Sequence, residues 1–182
     1  MTTFKCLIAD QMHESITPLL EEVGYTVHYR PEITREQLLQ QIADYSGLII
    51  RSKTAINAEV IEKAVNLKFV GRAGAGIDQL DVALLNKQNI TILNAPEGNR
   101  DALGEHTIGM LLCLFNKIHL ANIQVKNKTW DREGNRGVEL MGKTVGLIGF
   151  GNMGQAFARR LSSFECKVLA YDKYHGDFKS PF

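Results

Sequence analysis

Three glycines in the last third of the sequence have the spacing of a phosphate-binding loop. Gly149, Gly151 and Gly154 fit G-x-G-x-x-G, after an apolar run that begins at Lys143 and before the helical pattern at 156–164. In such a motif the first glycine allows a sharp turn, the second lets the backbone approach a pyrophosphate, and the third lets helix and strand pack closely. The following helix N-terminus offers N–H groups and the positive end of its dipole to the anion. These residues predict a nucleotide-binding site.

An acidic residue ends the next predicted strand, at 167–171. Asp172 lies 23 positions after Gly149 (172 − 149), where a carboxylate accepts hydrogen bonds from both hydroxyls of a ribose. The same charge would repel a 2′-phosphate, which favours NAD over NADP. Glycines also form tight turns that bind nothing, and this alternative stays open for the glycine motif alone. The strand, the helix, the second strand and the acid together favour a nucleotide.

Two earlier segments indicate an anion site. Gly74-Ala75-Gly76 leaves backbone N–H groups unshielded, which suits an anion-binding nest. From the residues alone, a glycine-rich turn with Asp78 as the cap of the next helix is the simpler alternative. Arg51 follows a predicted strand, and ligands of α/β proteins bind at the carboxyl ends of strands. An ordinary surface arginine explains the same residue equally well.

The elements that must position these residues follow the rhythm of a parallel α/β sheet. Helical patterns alternate with five predicted strands, at 5–10, 25–29, 47–50, 68–71 and 90–93. One helix begins at Thr34, where Gln37 completes a capping box. Five such units form a flavodoxin-like sheet. We therefore predict a flavodoxin-like substrate domain over residues 1–98.

The pattern changes after residue 100. Residues 101–128 predict one long helix, which exceeds a crossover in a small sheet and is interpreted as the element that joins two domains. The strand, helix and strand of the glycine motif follow it. We therefore predict an incomplete NAD-binding Rossmann domain over residues 99–182, which contains the linker helix and the first βαβ unit. The long helix and the incomplete sheet also predict a homo-oligomer.

Composition excludes several classes of protein. The 182 residues include 21 Lys and Arg against 20 Asp and Glu, and 45% are hydrophobic, which excludes a disordered or collagen-like chain. Neutral charge gives no reason to expect nucleic acid. The longest apolar stretch, 108–115, is far below the roughly 20 residues that cross a bilayer. Three cysteines without a C-x-x-C pair argue against a zinc site. We expect a cytoplasmic protein with no metal, nucleic acid or membrane as partner.

Five motifs in order resemble one known family. They are Arg51-Ser-Lys-Thr54, Gly71-Arg-Ala-Gly-Ala-Gly-Ile-Asp78, Asn94-Ala-Pro-Glu-Gly-Asn99, Gly104-Glu-His-Thr107 and the glycine motif. Over nearly the whole chain they are similar to the D-isomer-specific 2-hydroxyacid dehydrogenases. The resemblance implies an NAD-dependent oxidoreductase of D-2-hydroxy acids, with its active site in the cleft between the two domains.

The resemblance also implies roles for individual residues. Those placed at the anionic 2-hydroxy or 2-oxo acid are Arg51, Ser52, Gly74, Ala75, Gly76 and Asn99. Those placed at the cofactor are Ala75, Gly149, Gly151, Asn152, Met153, Gly154 and Asp172. Because the 51–54 segment offers two cations, Arg51 and Lys53, we expect a phosphorylated acid such as the 3-phosphoglycerate of serine biosynthesis.

The sequence departs from the family at the catalytic residues. The family's arginine, glutamate and histidine belong to the later half of the Rossmann domain, beyond residue 182. His106 belongs to a different motif and does not replace the histidine. We therefore predict no catalytic residue within this chain and expect a truncated, inactive part of a longer enzyme. A non-catalytic module that binds a nucleotide or an anion is the alternative.

Overall fold

A computed structural model describes residues 4–174 of the chain. The chain divides into two compact units, Met1–Pro96 and Glu97–Phe182. Among the described residues no single helix is both long and apolar enough to cross a membrane. Two consecutive helices, Arg100–Phe115 and Ile118–Lys126, meet that test only together, and a bend of 59° separates them.

The first unit contains a sheet of five parallel strands in the order β2-β1-β3-β4-β5. The strands are β1 (Phe4–Ile8), β2 (Tyr25–Tyr29), β3 (Gly47–Ile50), β4 (Phe69–Arg72) and β5 (Thr91–Asn94). The helices between them are α1 (Ile16–Glu22), α2 (Arg35–Gln41), α3 (Ala58–Lys63) and α4 (Val82–Lys87). This order is that of flavodoxin-like sheets. The predicted fold class is confirmed.

Alternation along the central strands explains why the sheet forms. Leu48 and Ile50 of β3 belong to the larger apolar cluster, whereas Ile49 belongs to a smaller one with Cys6 and Ile8. Successive side chains of a strand point to opposite faces, so both faces of β3 are covered. A strand buried on both faces needs a continuous apolar run, which is the pattern that the sequence shows at 47–50.

The cap of α2 confirms one local prediction. Thr34 Oγ1 accepts a hydrogen bond from the N–H of Gln37 at 3.3 Å, and Gln37 Oε1 accepts one from the N–H of Thr34 at 3.1 Å. Both bonds of the predicted capping box are therefore present, and they satisfy two donors at the helix start.

The second unit contains the predicted βαβ element. Its elements are α5 (Arg100–Phe115), α6 (Ile118–Lys126), β6 (Thr144–Ile148), α7 (Asn152–Leu161) and β7 (Lys167–Tyr171). β6 and β7 are parallel, with Thr144 opposite Lys167 and Ile148 opposite Tyr171. The helix α7 connects them, as the first crossover of a Rossmann domain does.

The predicted single helix over 101–128 is wrong. Residues 116 and 117 separate α5 from α6, and Lys117 adopts a left-handed conformation with φ +50°. One residue in that conformation ends the helical ladder and turns the chain. Lys117 Nζ donates to the carbonyl of Gly134 at 2.7 Å, which helps to hold the bend. The apolar spacing continues from Phe115 to Ile118 across the break, so the pattern conceals it.

Helix α5 packs closely on α7. Gly104 is buried, and a Cβ there would lie 3.1 Å from the backbone carbonyl of Ala156. Arg160 on α7 donates to Asp101 at 3.2 Å and to Glu105 at 3.1 Å. The hydrogen bond from Arg160 lowers the pKa of the Asp101 carboxyl. The contact supports the helix whose N-terminus follows the glycine motif.

Candidate anion and nucleotide sites

The glycine motif forms the turn between β6 and α7. Gly149 has φ +95°, a conformation that favours glycine, and its N–H donates to the carbonyl of Tyr171 at 2.7 Å. Gly154 lies in the first turn of α7, where a Cβ would overlap the carbonyl oxygen of Gly149. The first and third glycines thus have the geometry that the motif requires: a sharp turn and a close approach of helix to loop.

The second glycine leaves space at the start of α7. Gly151 is the N-cap residue, no side chain caps the helix there, and no atom lies within 4 Å of a Cβ built on it. The first N–H groups of a helix have no acceptor inside the helix, and here they include those of Asn152 and Met153. Open space and helix N–H groups are what a pyrophosphate needs. The residues present therefore fit a dinucleotide.

Asp172 lies beside the same loop. Its Oδ2 accepts a hydrogen bond from the N–H of Phe150 at 2.7 Å, and its Oδ1 accepts one from the N–H of Tyr174 at 2.8 Å. Phe150 is the residue between the first two glycines, so the acid contacts the loop although 22 positions separate them. Backbone bonds at both oxygens orient the carboxylate. The Asp172 carboxylate and the open space at Gly151 therefore lie at the same turn.

The anion residues of the first unit follow the carboxyl ends of its strands. Arg51 follows β3, and Asp10 follows β1 after one intervening residue. β1 and β3 are neighbours, and the strand order reverses between them. Crevices at such reversal points are where open α/β sheets bind ligands. The fold therefore places this segment at a preferred ligand site.

A buried carboxylate organises the segment from Arg51 to Thr54, which we name the cation loop. Asp10 is only 3% exposed. Its Oδ2 accepts from the N–H groups of Arg51 at 2.5 Å and Lys53 at 3.3 Å, and its Oδ1 accepts from the hydroxyl of Thr54 at 2.8 Å. No role for Asp10 was predicted from the sequence. The available signal was an acid directly after an apolar strand.

Arg72 is a second residue that sequence analysis left without a role. Its Nε donates to the carbonyl of Arg51 at 3.2 Å, and Gln79 Nε2 donates to the same oxygen. The guanidinium of Arg72 occupies the space beside Gly74 that a Cβ would need. The 72–76 turn and the cation loop are therefore joined, and a positive charge lies at the turn.

The predicted nest of three N–H groups is corrected at Gly74. The N–H of Gly74 donates to the carbonyl of Arg72 at 2.8 Å, so it does not face a ligand. Within residues 4–174 the N–H groups of Ala75 and Gly76 have no such acceptor, and Asn94 Nδ2 holds the carbonyl of Ala75 at 2.8 Å. The nest therefore offers two N–H groups rather than three.

The alternative with Asp78 as a helix cap is also wrong. Asp81 caps α4, and its Oδ1 accepts from the N–H of Leu84 at 3.0 Å. The Asp78 carboxylate instead lies next to Gly76, because a Cβ on that glycine would be 3.0 Å from Asp78 Oδ2. An anion at the nest therefore needs the positive charge of the neighbouring arginines.

The expectation of two available cations is wrong for Lys53. Its ammonium donates to the carbonyl of Pro31 and approaches that of Ile33 at 3.5 Å. The Lys53 side chain thus joins the cation loop to the turn before α2. Arg51 is exposed and, together with Arg72, supplies the positive charge. The two positive charges available to an anion are therefore those of Arg51 and Arg72, not those of Arg51 and Lys53.

Several predicted residues stay predictions. Ser52 is exposed on the cation loop. Asn99 is the N-cap residue of α5 and makes no side-chain bond to that helix. Ala75 belongs to the first unit and the remaining cofactor residues to the second.

Cys6 is buried, which raises the pKa of its thiol to about 12, so it is no nucleophile. Among the described residues, no three His, Cys, Asp or Glu side chains are grouped to hold a metal.

Comparison with known proteins identifies the family of the chain. The sequence pattern of the D-isomer specific 2-hydroxyacid dehydrogenase catalytic domain matches residues 6–173. The chain therefore belongs to this family.

One similar relative is the D-3-phosphoglycerate dehydrogenase of Methanocaldococcus jannaschii. It is 39% identical over 170 residues, which cover 93% of this chain and 32% of the relative. The chain thus spans about a third of the length of the curated relatives it matches first.

Solved structures include both forms of the nicotinamide cofactor. The NAD⁺-bound 3-phosphoglycerate dehydrogenase of Entamoeba histolytica has a TM-score of 0.76 at 27% identity, covering 97% of this chain and 56% of that one. An acyclic imino acid reductase in complex with NADPH and D-Arg has a TM-score of 0.85 at 25% identity, covering 97% and 58%. The family therefore binds NAD or NADP.

Proposed function

We propose that the chain is part of an NAD-dependent dehydrogenase whose intact form oxidises a phosphorylated D-2-hydroxy acid, D-3-phosphoglycerate, to 3-phosphohydroxypyruvate, and that the chain alone is catalytically incomplete. The observation that carries the proposal is the contact between Asp172 and the glycine loop at Phe150. When bound, NAD⁺ would supply the acceptor for a hydride from C2 of the acid, and the hydroxyl proton would pass to a base that we assign to no residue of this chain. Family membership and the phosphoglycerate dehydrogenase relatives support the same reaction.

Asp172 supports NAD rather than NADP. A carboxylate that is held at the loop by two amides accepts hydrogen bonds from ribose hydroxyls. A phosphate at the 2′ position would bring two or nearly two negative charges against that carboxylate. Repulsion between like charges at short range disfavours such a complex. We therefore expect NADH to bind the chain at least about tenfold more tightly than NADPH.

The cofactor proposal is tested by fluorescence titration of NADH and NADPH. The variant Asp172→Asn removes the charge, and Glu139→Gln removes one from an exposed acid of the same unit as a matched control. We expect Asp172→Asn to weaken NADH binding about 5- to 100-fold, because a hydrogen bond to a charged group contributes about 1–3 kcal/mol. It should also narrow the preference over NADPH, whereas Glu139→Gln should change neither. An unchanged NADH affinity in Asp172→Asn would contradict the proposal.

The cation loop supports an acid with more than one negative charge. Arg72 Nε donates to the backbone carbonyl of Arg51, whose own side chain is exposed. Two N–H groups of the nest lie in the same turn as Arg72. Guanidinium groups suit carboxylate and phosphate oxygens because they donate in a planar fork. One arginine and the nest are enough for a carboxylate, and a second arginine accommodates a phosphate.

The first unit also supplies a matched control. Arg51→Ala should weaken binding of D-3-phosphoglycerate by about tenfold or more, because it removes a charged donor. Lys87→Met removes the same charge from an exposed position in the last turn of α4, so binding should change less than about twofold. Equal losses in calorimetric titrations would show that Arg51 acts only through the net charge of the unit. D-glycerate, which lacks the phosphate, should bind more weakly than D-3-phosphoglycerate.

Catalysis is tested by reduction of NAD⁺ with D-3-phosphoglycerate. The assay uses the 182-residue chain and the product of any longer reading frame that contains it. Absence of turnover from both, with NADH binding intact, would favour a non-catalytic nucleotide-binding module.

Self-association is part of the same proposal. α5 exposes Met110 and Leu114, which are 61% and 73% exposed, and α6 exposes Ile118 at 53%. Large apolar side chains grouped on a surface are typical of protein contacts. Light scattering should show a mass above 20.3 kDa, and Leu114→Asp should lower it. A monomer at high protein concentration would contradict this part.

A further inference from the structure

We propose that Asp10 is a positioning residue for acid binding: its buried carboxylate fixes the backbone of the cation loop and so holds the Arg51 guanidinium where the acid binds. The inference rests on the proposed function, because it assumes that Arg51 binds an anionic substrate. Asp10 itself does not touch the acid. It acts through the loop.

The Asp10 carboxylate is carried by backbone that continues β1. Ala9, directly before it, is fully buried, and its N–H donates to the carbonyl of Ile49 at 3.0 Å. The ladder between β1 and β3 thus continues to the residue before Asp10, and the backbone that carries the carboxylate is part of the sheet. Asp10 is therefore attached to a rigid part of the backbone.

The Asp10 carboxylate binds only groups of the cation loop among the described residues. All three of its donors, the N–H groups of Arg51 and Lys53 and the hydroxyl of Thr54, belong to one loop that lies 41–44 positions later. Charged acceptors form short, strong hydrogen bonds, and the Arg51 bond is 2.5 Å. Two oxygens of one side chain therefore set the course of four consecutive residues.

The apolar core does not require an acid at position 10. Burying a carboxylate is costly, and apolar residues of similar size often stabilise a fold as well or better. The donors that offset this cost come from a loop whose residues 51–53 are exposed and add little to the core. What the arrangement provides is a fixed position for exposed side chains.

The backbone carbonyl of Arg51 is also held by hydrogen bonds. Arg72 Nε and Gln79 Nε2 donate to its carbonyl while Asp10 accepts from its N–H. Both polar groups of the Arg51 main chain are thus engaged. Its side chain remains exposed, so the loop presents the guanidinium from a fixed peptide.

The test compares Asp10→Ala with Asp10→Asn. Asparagine keeps an oxygen for the two N–H groups and has an amide that donates to the Thr54 hydroxyl oxygen, so the conservative variant should restore the loop. Asp81→Ala is the matched control, because it removes a helix-capping carboxylate from the same unit. Each variant is measured for amide hydrogen exchange at residues 51 and 53, for D-3-phosphoglycerate affinity, and for NADH affinity.

We expect Asp10→Ala to speed exchange at residues 51 and 53 and to weaken D-3-phosphoglycerate binding about tenfold or more, since small misplacements of positioning groups are costly. Asp10→Asn should bind within about threefold of the wild type. Asp81→Ala should leave both measurements unchanged. All variants should bind NADH equally, because the glycine motif lies in the second unit. They should also keep wild-type exchange at the buried Leu48 and Ile50 of β3, which shows that the first unit is folded.

Other results overturn the inference in distinguishable ways. If the wild type binds the acid and Asp10→Ala binds it equally well, Asp10 does not position Arg51. If Asp10→Ala and Asp81→Ala weaken binding equally, the effect is general destabilisation. If the wild type binds no acid at all, the proposed function fails at this site and the role of Asp10 in binding fails with it. Exchange at residues 51 and 53 then still reports whether Asp10 orders the loop.

Discussion

Replacing each of two glycines of the motif by alanine should separate its structural role from its binding role. A Cβ at Gly154 would overlap the carbonyl oxygen of Gly149 and lie 3.1 Å from its carbon, and both atoms are backbone. Overpacking typically costs about 1–3 kcal/mol, and a backbone obstacle places this site at the upper end. Alanine recovers about 1 kcal/mol of helix propensity. Gly154→Ala should therefore destabilise the second unit by about 2 kcal/mol.

Gly151→Ala should weaken NADH binding without destabilising the second unit to a similar extent. No atom lies within 4 Å of the added Cβ, and the backbone is extended at φ −73° and ψ −157°. The loss of a favourable N-cap residue should cost less than about 1 kcal/mol. The methyl group would occupy the space that we assign to the pyrophosphate. NADH binding should fall by about tenfold or more, because hydrogen bonds to a charged group are lost.

The assay is amide hydrogen exchange over residues 144–161, paired with an NADH titration of each variant. A loss of 2 kcal/mol corresponds to roughly thirtyfold faster exchange for amides that exchange only through unfolding. Gly154→Ala should show this change and Gly151→Ala should not, although both should bind NADH more weakly. Wild-type exchange in Gly154→Ala would refute the close contact of helix and loop. Full NADH affinity in a stable Gly151→Ala would refute the assignment of the open space.

Three further predictions concern stability and reactivity. Thr34→Ala should destabilise the first unit by about 1 kcal/mol in urea unfolding, because the capping box is lost; an unchanged midpoint would mean that α2 does not need its cap. Burial raises the pKa of Cys6 to about 12, so iodoacetamide at neutral pH should modify the half-buried Cys166 well before Cys6; faster labelling of Cys6 would contradict its burial. Arg160→Met should destabilise the second unit at neutral pH and less so in acid. The folded-state pKa of Asp101 lies below its ordinary 3.8, so the contribution is present above that value and is lost as the pH falls through the lower folded pKa. A destabilisation that does not shrink on acidification would exclude the ion pair.

The strands were predictable because each is a short run rich in apolar or aromatic residues between turn signals. The predicted runs at 25–29, 47–50 and 167–171 coincide with β2, β3 and β7. The break between α5 and α6 was not predictable, because neither Asn116 nor Lys117 is a strong helix breaker. The helix ends there through a left-handed residue and a bond to Gly134, which only the folded unit supplies.

The candidate site was predictable where backbone conformation sets the residue type. Gly149 needs a positive φ and Gly154 a close approach, so their spacing is visible in the sequence. Side-chain direction was not predictable. The Lys53 ammonium binds the carbonyls of residues 31 and 33, more than 19 positions earlier. The predicted flavodoxin-like sheet makes β1 and β3 neighbours, but the direction in which the Asp10 carboxylate points depends on side-chain packing that the sequence does not show.

The bonds of Asp10 have a consequence for the order in which the first unit folds. They join positions 41–44 residues apart, so they form only after β1 has paired with β3. Closing such long loops is slow compared with forming a helix. The cation loop is therefore one of the last parts of the unit to take shape, as the chain is synthesised or refolded. Its acquisition of anion affinity should lag behind the appearance of helical structure, and so acid binding is a late marker of native folding.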